Sequence, residues 1–198
     1  MRKILAVLFS TVLLVACSQQ PIRPVTPVDP YPRVAFITSM GDFVVQLDRE
    51  RAPLSVTNFL HYVDTGFYAG TLIHRVVPGF VIQGGGFTKT YAEKHTQPPI
   101  PNESGNGLSN LRGTIAMARE QAPHSATAQF YINLADNRKL DPRADRWGYA
   151  VFGKVISGME VVDKIAAVAT GKAGPFDKDA PLTQVVILKA VELEPSLD

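Results

Sequence analysis

From residue 33 onward, short runs rich in Val, Ile and Phe alternate with breaks bearing glycine, proline and charge. Period-two runs at 33–38 and 43–47, interrupted at Met40-Gly41-Asp42, predict a hairpin. Residues 52–67 change period: Val56, Phe59, Leu60 and Val63 recur at helical spacing and define a buried face. Pro53 suits the first turn of that helix, where its missing N–H costs nothing, and Gly66 is a stop signal. Further strands are predicted at 71–77, 80–83, 113–118, 128–134, 150–156 and 184–193. A second helix is predicted at 158–167, with Met159, Val162 and Ile165 facing inward. Eight strands and two helices imply a mainly β fold, either a closed antiparallel barrel or a sandwich. Two long polar loops, 88–111 and 135–148, interrupt the pattern, and the second alternates in charge sign as a solvated surface would.

The first 32 residues follow other rules. Arg2-Lys3 precedes an apolar run over 4–16, whose 13 residues fall short of the about 20 a spanning helix needs. The run ends Leu14-Val15-Ala16-Cys17, which resembles a bacterial lipoprotein signal: residues 1–16 are removed and Cys17 is acylated. The alternative is an ordinary secretory signal peptide cleaved nearby. Residues 17–32 hold Pro21, Pro24, Pro27, Pro30 and Pro32, which favour extended backbone and exclude helix. They are expected to act as a lipid-anchored spacer, or alternatively as a proline-rich ligand. The folded domain is expected over 33–194, with 195–198 as a tail.

Composition narrows the function. Arg2 and Lys3 account for the whole net charge of +2, since the other 18 basic residues balance 18 acidic ones. Nucleic acid, which demands a dense basic field, is not an expected partner. The single cysteine permits no internal disulfide.

The most informative stretch is His74-Arg75-Val76-Val77-Pro78-Gly79-Phe80-Val81-Ile82-Gln83-Gly84-Gly85-Gly86-Phe87. A Pro-Gly turn joins two short strands, and Arg75 and Gln83 are polar members of an otherwise apolar set. Gly113-Thr-Ile-Ala-Met-Ala-Arg119, then Gln129-Phe-Tyr131-Ile, add another amide and another aromatic. Together with Val151-Phe-Gly-Lys-Val155, these segments resemble the cyclophilin-type peptidyl-prolyl isomerases over about 33–193. The resemblance selects the barrel: eight antiparallel strands closed on themselves and capped by two α-helices. It implies rotation of X-Pro bonds in proline-containing polypeptides, without metal or cofactor, by a monomer.

The same resemblance implies roles. Arg75 matches the catalytic arginine. Phe80, Val81, Tyr131 and Leu140 match the walls of the proline-ring pocket, with the Tyr131 hydroxyl expected at its edge. Gln83 and Gln129 would hold the substrate carbonyl and backbone. Ala118 and Arg119 match an Ala-Asn pair that binds the residue before proline through its main chain, so Arg119 is a departure. Tyr149 stands where some members have histidine, and Lys139 where eukaryotic members carry a cyclosporin-binding tryptophan. The rival reading is a non-catalytic module that docks proline segments of the cell envelope, a role that does not require Arg75. Gly84-Gly85-Gly86 lacks the Lys-Ser/Thr of a phosphate loop and is expected to let backbones pass closely. His74 is expected to be buried and hydrogen-bonded. The absence of Asp after Cys17 points to the outer membrane, facing the periplasm.

Overall fold

In the computed structural model, which describes residues 28–195, eight strands close into an antiparallel barrel. Its strands are β1 (Arg33–Thr38), β2 (Gly41–Leu47), β3 (Thr71–Val77), β4 (Val81–Thr88), β5 (Thr114–Met117), β6 (Phe130–Asn133), β7 (Val151–Ser157) and β10 (Val185–Leu193). Around the barrel they run β1-β10-β3-β4-β6-β5-β7-β2. Closure leaves no free edge for another chain to pair with. The signal segment and Cys17 lie outside the described residues.

Two helices pack on the barrel. α1 (Pro53–Asp64) buries Val56, Phe59, Leu60 and Val63, as its spacing predicts. It stops short of residue 67 because Thr65 Oγ1 donates to His61 O at 2.8 Å, and Gly66 takes φ +67°, turning the chain away. α2 (Met159–Ala166) buries Val162 and Ile165. Phe36, Phe43, Phe59, Tyr68, Phe130 and Phe152 fill the interior: Phe43 stacks on Phe36, and the others meet tilted or edge-on.

Sequence reading missed one element. Between α2 and β10, β8 (Thr170–Ala173) and β9 (Phe176–Pro181) form a separate two-stranded hairpin that packs against β3. Its sequence, with Lys172, Asp177 and Lys178, lacks the apolar alternation of a barrel strand. The hairpin docks by one aromatic instead. Phe176 stacks on His74 at 5.2 Å and meets Phe87 edge-on at 5.1 Å. His74 is buried, as expected, and its Nδ1 has no hydrogen-bond partner. Burial lowers its pKa to about 4, against an opposing hydrogen bond to the Leu72 backbone.

A candidate active site on the outer wall of the barrel

Period-two alternation sorts β4, β5 and β6 into two faces. Ile82, Ile115 and Ile132 enter the main core, whereas Val81, Ala116 and Tyr131 form a second apolar cluster with Ala118 and Val151 on the opposite face. Phe80, Leu108, Leu140 and Tyr149 pack against that cluster from loops. Strand register then lays the polar residues beside it. Arg75 on β3 lies opposite Gln83 on β4, and Gln83 lies opposite Tyr131 on β6.

The result is a small cleft of about 110 Å³, lined by Arg75, Phe80, Val81, Gln83, Ala118, Arg119, Tyr131, Leu140 and Tyr149. Gln129 stands beside it and accepts from Gln83 Nε2 at 3.1 Å. All ten residues named from the sequence for this site therefore meet at one place. Gln83 Oε1 accepts in turn from Arg75 Nη1 at 3.4 Å. The arginine and two amides form one row along a half-buried apolar seat. Gly86 makes the row possible: a Cβ there would come within 2.6 Å of Gln129 Cγ. At Gly84 a Cβ would lie 2.9 Å from Leu72 O, so close backbone passage does explain this glycine.

One expectation changes. The Tyr131 hydroxyl is not at the rim of the cleft; it is buried and donates to Asn110 Oδ1 at 2.6 Å. Desolvation pushes the phenol well above its ordinary pKa. Arg119, the departure from the Ala-Asn pair, lines the cleft. Its guanidinium lies over the Tyr149 ring at 4.5 Å and donates to the carbonyls of Gly148, Trp147, Glu120 and Gln121. Trp147 packs edge-on against His124 at 5.0 Å. Lys139 stands over the Phe80 ring, with Nζ 4.7 Å from its centroid.

Sequence reasoning also missed the supports. Asn110 is fully buried and accepts from Tyr131 and Asn133, while its own N–H groups donate to Asp141 Oδ1 at 2.7 and 2.9 Å. Asn137 Nδ2 donates to Phe80 O at 2.8 Å, fixing the turn that carries the ring. Asp179 on β9 places a carboxylate oxygen 3.8 Å from Arg75 Nε. Its backbone is left-handed, φ +64°, a conformation that Asp tolerates better than most residues. Asn and Asp in loops carry no periodic signal, and Asp179 is 104 residues from Arg75, so neither spacing nor composition exposes these contacts.

A closed eight-stranded barrel bearing a cation, two amides and an apolar seat on its outer wall has the makings of a peptide-bond isomerase. Residues 33–192 match the family model of the cyclophilin type peptidyl-prolyl cis-trans isomerases, and the chain belongs to that family. Peptidyl-prolyl cis-trans isomerase A of Dickeya dadantii is 53% identical over 157 residues, covering 79% of this chain and 82% of the relative. Peptidyl-prolyl cis-trans isomerase B of Escherichia coli is 52% identical over 157 residues, covering 78% and 95%. Among solved structures, a Cryptosporidium parvum cyclophilin-type isomerase shares the fold, with a TM-score of 0.69 at 24% identity over 84% of this chain and 99% of its own. The protein is an enzyme that interconverts cis and trans X-Pro bonds.

Proposed function

We propose that Arg75 is the catalytic residue of this isomerase, and that the enzyme works as a monomer outside the cytoplasm, anchored through acyl chains on Cys17. The observation that carries the catalytic reading is the Arg75–Gln83–Gln129 row beside the apolar cleft. An X-Pro bond resists rotation because its C–N bond is partly double, with a barrier of about 18–20 kcal/mol. Twisting breaks that conjugation and returns the lone pair to the proline nitrogen. The Arg75 guanidinium, always protonated, donates toward that nitrogen and stabilises the twisted state more than either planar one. Phe80, Val81, Tyr131 and Leu140 seat the ring. Gln83 and Gln129 hold the carbonyl and backbone, while Ala118, Arg119 and Tyr149 line the approach of the residue before proline. No bond is made or broken, and no group is transferred. Lowering the barrier by about 7 kcal/mol accelerates exchange roughly 10⁵-fold.

A Cryptosporidium parvum cyclophilin-type isomerase, 25% identical with a TM-score of 0.68, has been solved in the presence of the dipeptide Ala-Pro, which supports a proline-bearing chain as the occupant. The extracytoplasmic reading rests on Arg2-Lys3, the apolar run 4–16 and the cysteine that ends it. The clients are then envelope and secreted polypeptides folding in the periplasm, with Ser18 after Cys17 favouring the outer membrane. The deciding experiment for the catalytic assignment is a protease-coupled assay on a short X-Pro peptide. Arg75→Ala should lose most activity with an unchanged circular dichroism spectrum. Arg75→Lys should recover little, because a point charge does not reproduce the planar fork. An alanine variant within about threefold of the parent would remove Arg75 from the mechanism; threefold is only about 0.7 kcal/mol.

A further inference from the structure

The cleft is ringed by cations, of which the proposed isomerisation of a neutral peptide uses Arg75 alone. Arg75, Arg119 and Lys139 all stand at it or beside it, and they differ in their partners. Arg75 is partly neutralised by Asp179. Arg119 and Lys139 have no carboxylate partner among the described residues. Arg119 has its donors taken up by four backbone carbonyls, so it contributes a fixed positive field with little left to donate. Lys139 differs. Its side chain is exposed, and its ammonium is held only by the face of Phe80, the ring of the proposed proline seat. Such an exposed cation–π contact is weak and leaves the three N–H donors to a stronger partner.

The loop presents Lys139 in advance. A single turn of 3₁₀ helix (Arg138–Leu140) carries it, Arg146 Nη2 donates to its carbonyl, and Leu140 O accepts from Tyr149 N at 3.0 Å. Of the other acids of this loop, Asp136 accepts from Arg112 N and Asp141 from Asn110, and the exposed Asp145 forms no ion pair with Lys139. A carboxylate brought in by a substrate would meet a cation at the seat with no competing acidic partner.

We propose that Lys139 is a specificity-determining residue that selects proline segments carrying an acidic side chain directly after the proline. The inference rests on the assignment of Phe80 as the ring seat. Since Ala118 and Arg119 take the residue before proline in that reading, a cation over Phe80 faces the residue that follows. The substrate class is therefore acidic X-Pro-Glu or X-Pro-Asp segments. Arg119 adds a field of the same sign without reading a position.

The test uses cis–trans exchange of five-residue peptides followed by NMR, which needs no coupling protease. The peptides Ala-Ala-Pro-Glu-Phe, Ala-Ala-Pro-Gln-Phe and Ala-Ala-Pro-Lys-Phe vary the position after proline, and Ala-Glu-Pro-Ala-Phe varies the one before. An exposed charge pair predicts a kcat/KM about two- to fivefold higher for Glu than for Gln after proline, with Lys lower still. The Glu/Gln ratio should shrink toward one in 0.5 M NaCl, where screening is strong. Lys139→Gln should abolish the ratio, and Lys139→Glu should invert it in favour of the Lys peptide. Equal rates on the Glu and Gln peptides overturn the proposal, as does a Glu preference that survives Lys139→Gln or that resides before the proline. Turnover of the Gln peptide by the parent enzyme separates the two readings. If that turnover persists in Phe80→Ala, the seat assignment fails; if it depends on Phe80 but shows no charge preference, only the role of Lys139 fails.

Discussion

At the scale of single residues, the cleft divides into groups that face substrate and groups that hold them. Tyr131 shows how the division can be tested. Its ring lines the cleft, but its hydroxyl is buried against Asn110. Tyr131→Phe should therefore keep turnover within about twofold while costing about 1 kcal/mol of stability, the usual worth of a lost internal hydrogen bond. A urea midpoint measured beside the peptide assay checks both halves, and a large loss of turnover with no loss of stability would put the hydroxyl back in the chemistry. Asp179 should behave in the opposite way. It meets Arg75 from the Nε side, leaving Nη1 to Gln83 and the rest of the fork to substrate. Asp179→Asn keeps the shape and tolerates the left-handed backbone but removes the charge. As a positioning residue it should show a kcat about three- to tenfold lower with KM little changed, and no further loss when combined with Arg75→Ala. Additive losses in that double variant would show that Asp179 does not act through the arginine. These partners were illegible in the sequence because each depends on where distant loops land, whereas Arg75, Phe80 and Gln83 sit within nine residues of one motif.

At the scale of elements, the period-two and helical patterns located all eight barrel strands and both helices, because one face of each is committed to the core. The hairpin β8–β9 escaped for the converse reason: β8 buries little, and the hairpin docks on β3 through Phe176 stacked on His74 rather than through an apolar stripe. That docking has a consequence for pH. The folded protein holds His74 neutral down to about pH 4, whereas the unfolded chain takes up the proton near 6.5. Between these values the unfolded state binds more protons, so stability rises with pH. The full contribution is present above about 6.5 and is lost as pH falls to about 4, a difference of about 3 kcal/mol. Replacing the imidazole by a ring that does not titrate, as in His74→Phe, should flatten that part of the profile. Urea unfolding at pH 7.5 and 4.5 measures it. Carboxylates contribute to both proteins alike, so the comparison between them is what counts. Equal acid sensitivity would mean that His74 is protonated in the fold.

At the scale of the whole molecule, the barrel and its proposed anchor are separable, and the joint between them is visible. Residues before β1 run along the end of β2: Leu47 N donates to Pro32 O at 2.8 Å, Arg49 N to Pro30 O at 3.0 Å, and Tyr31 Oη to Glu50 at 2.6 Å. The chain is thus tied to the barrel from about residue 29, so the last residues of the spacer expected over 17–32 belong to the folded domain instead, leaving 18–28 for the spacer. An extended proline-rich segment of that length reaches about 30–35 Å at roughly 3 Å per residue. In the proposed arrangement, turnover does not depend on acylation of Cys17. The proposed membrane attachment, by contrast, depends on it entirely, because stable anchoring requires two or more acyl signals and the chain has one cysteine to carry them. Cys17→Ser should abolish incorporation of labelled palmitate and move the protein from the membrane fraction to the soluble periplasmic one. The kcat/KM on a short X-Pro peptide should stay unchanged within error. A variant that still sediments with membranes would put the anchor in the apolar run over 4–16, retained rather than cleaved. A soluble variant with altered turnover on so small a substrate would mean instead that the segment before β1 reaches the cleft.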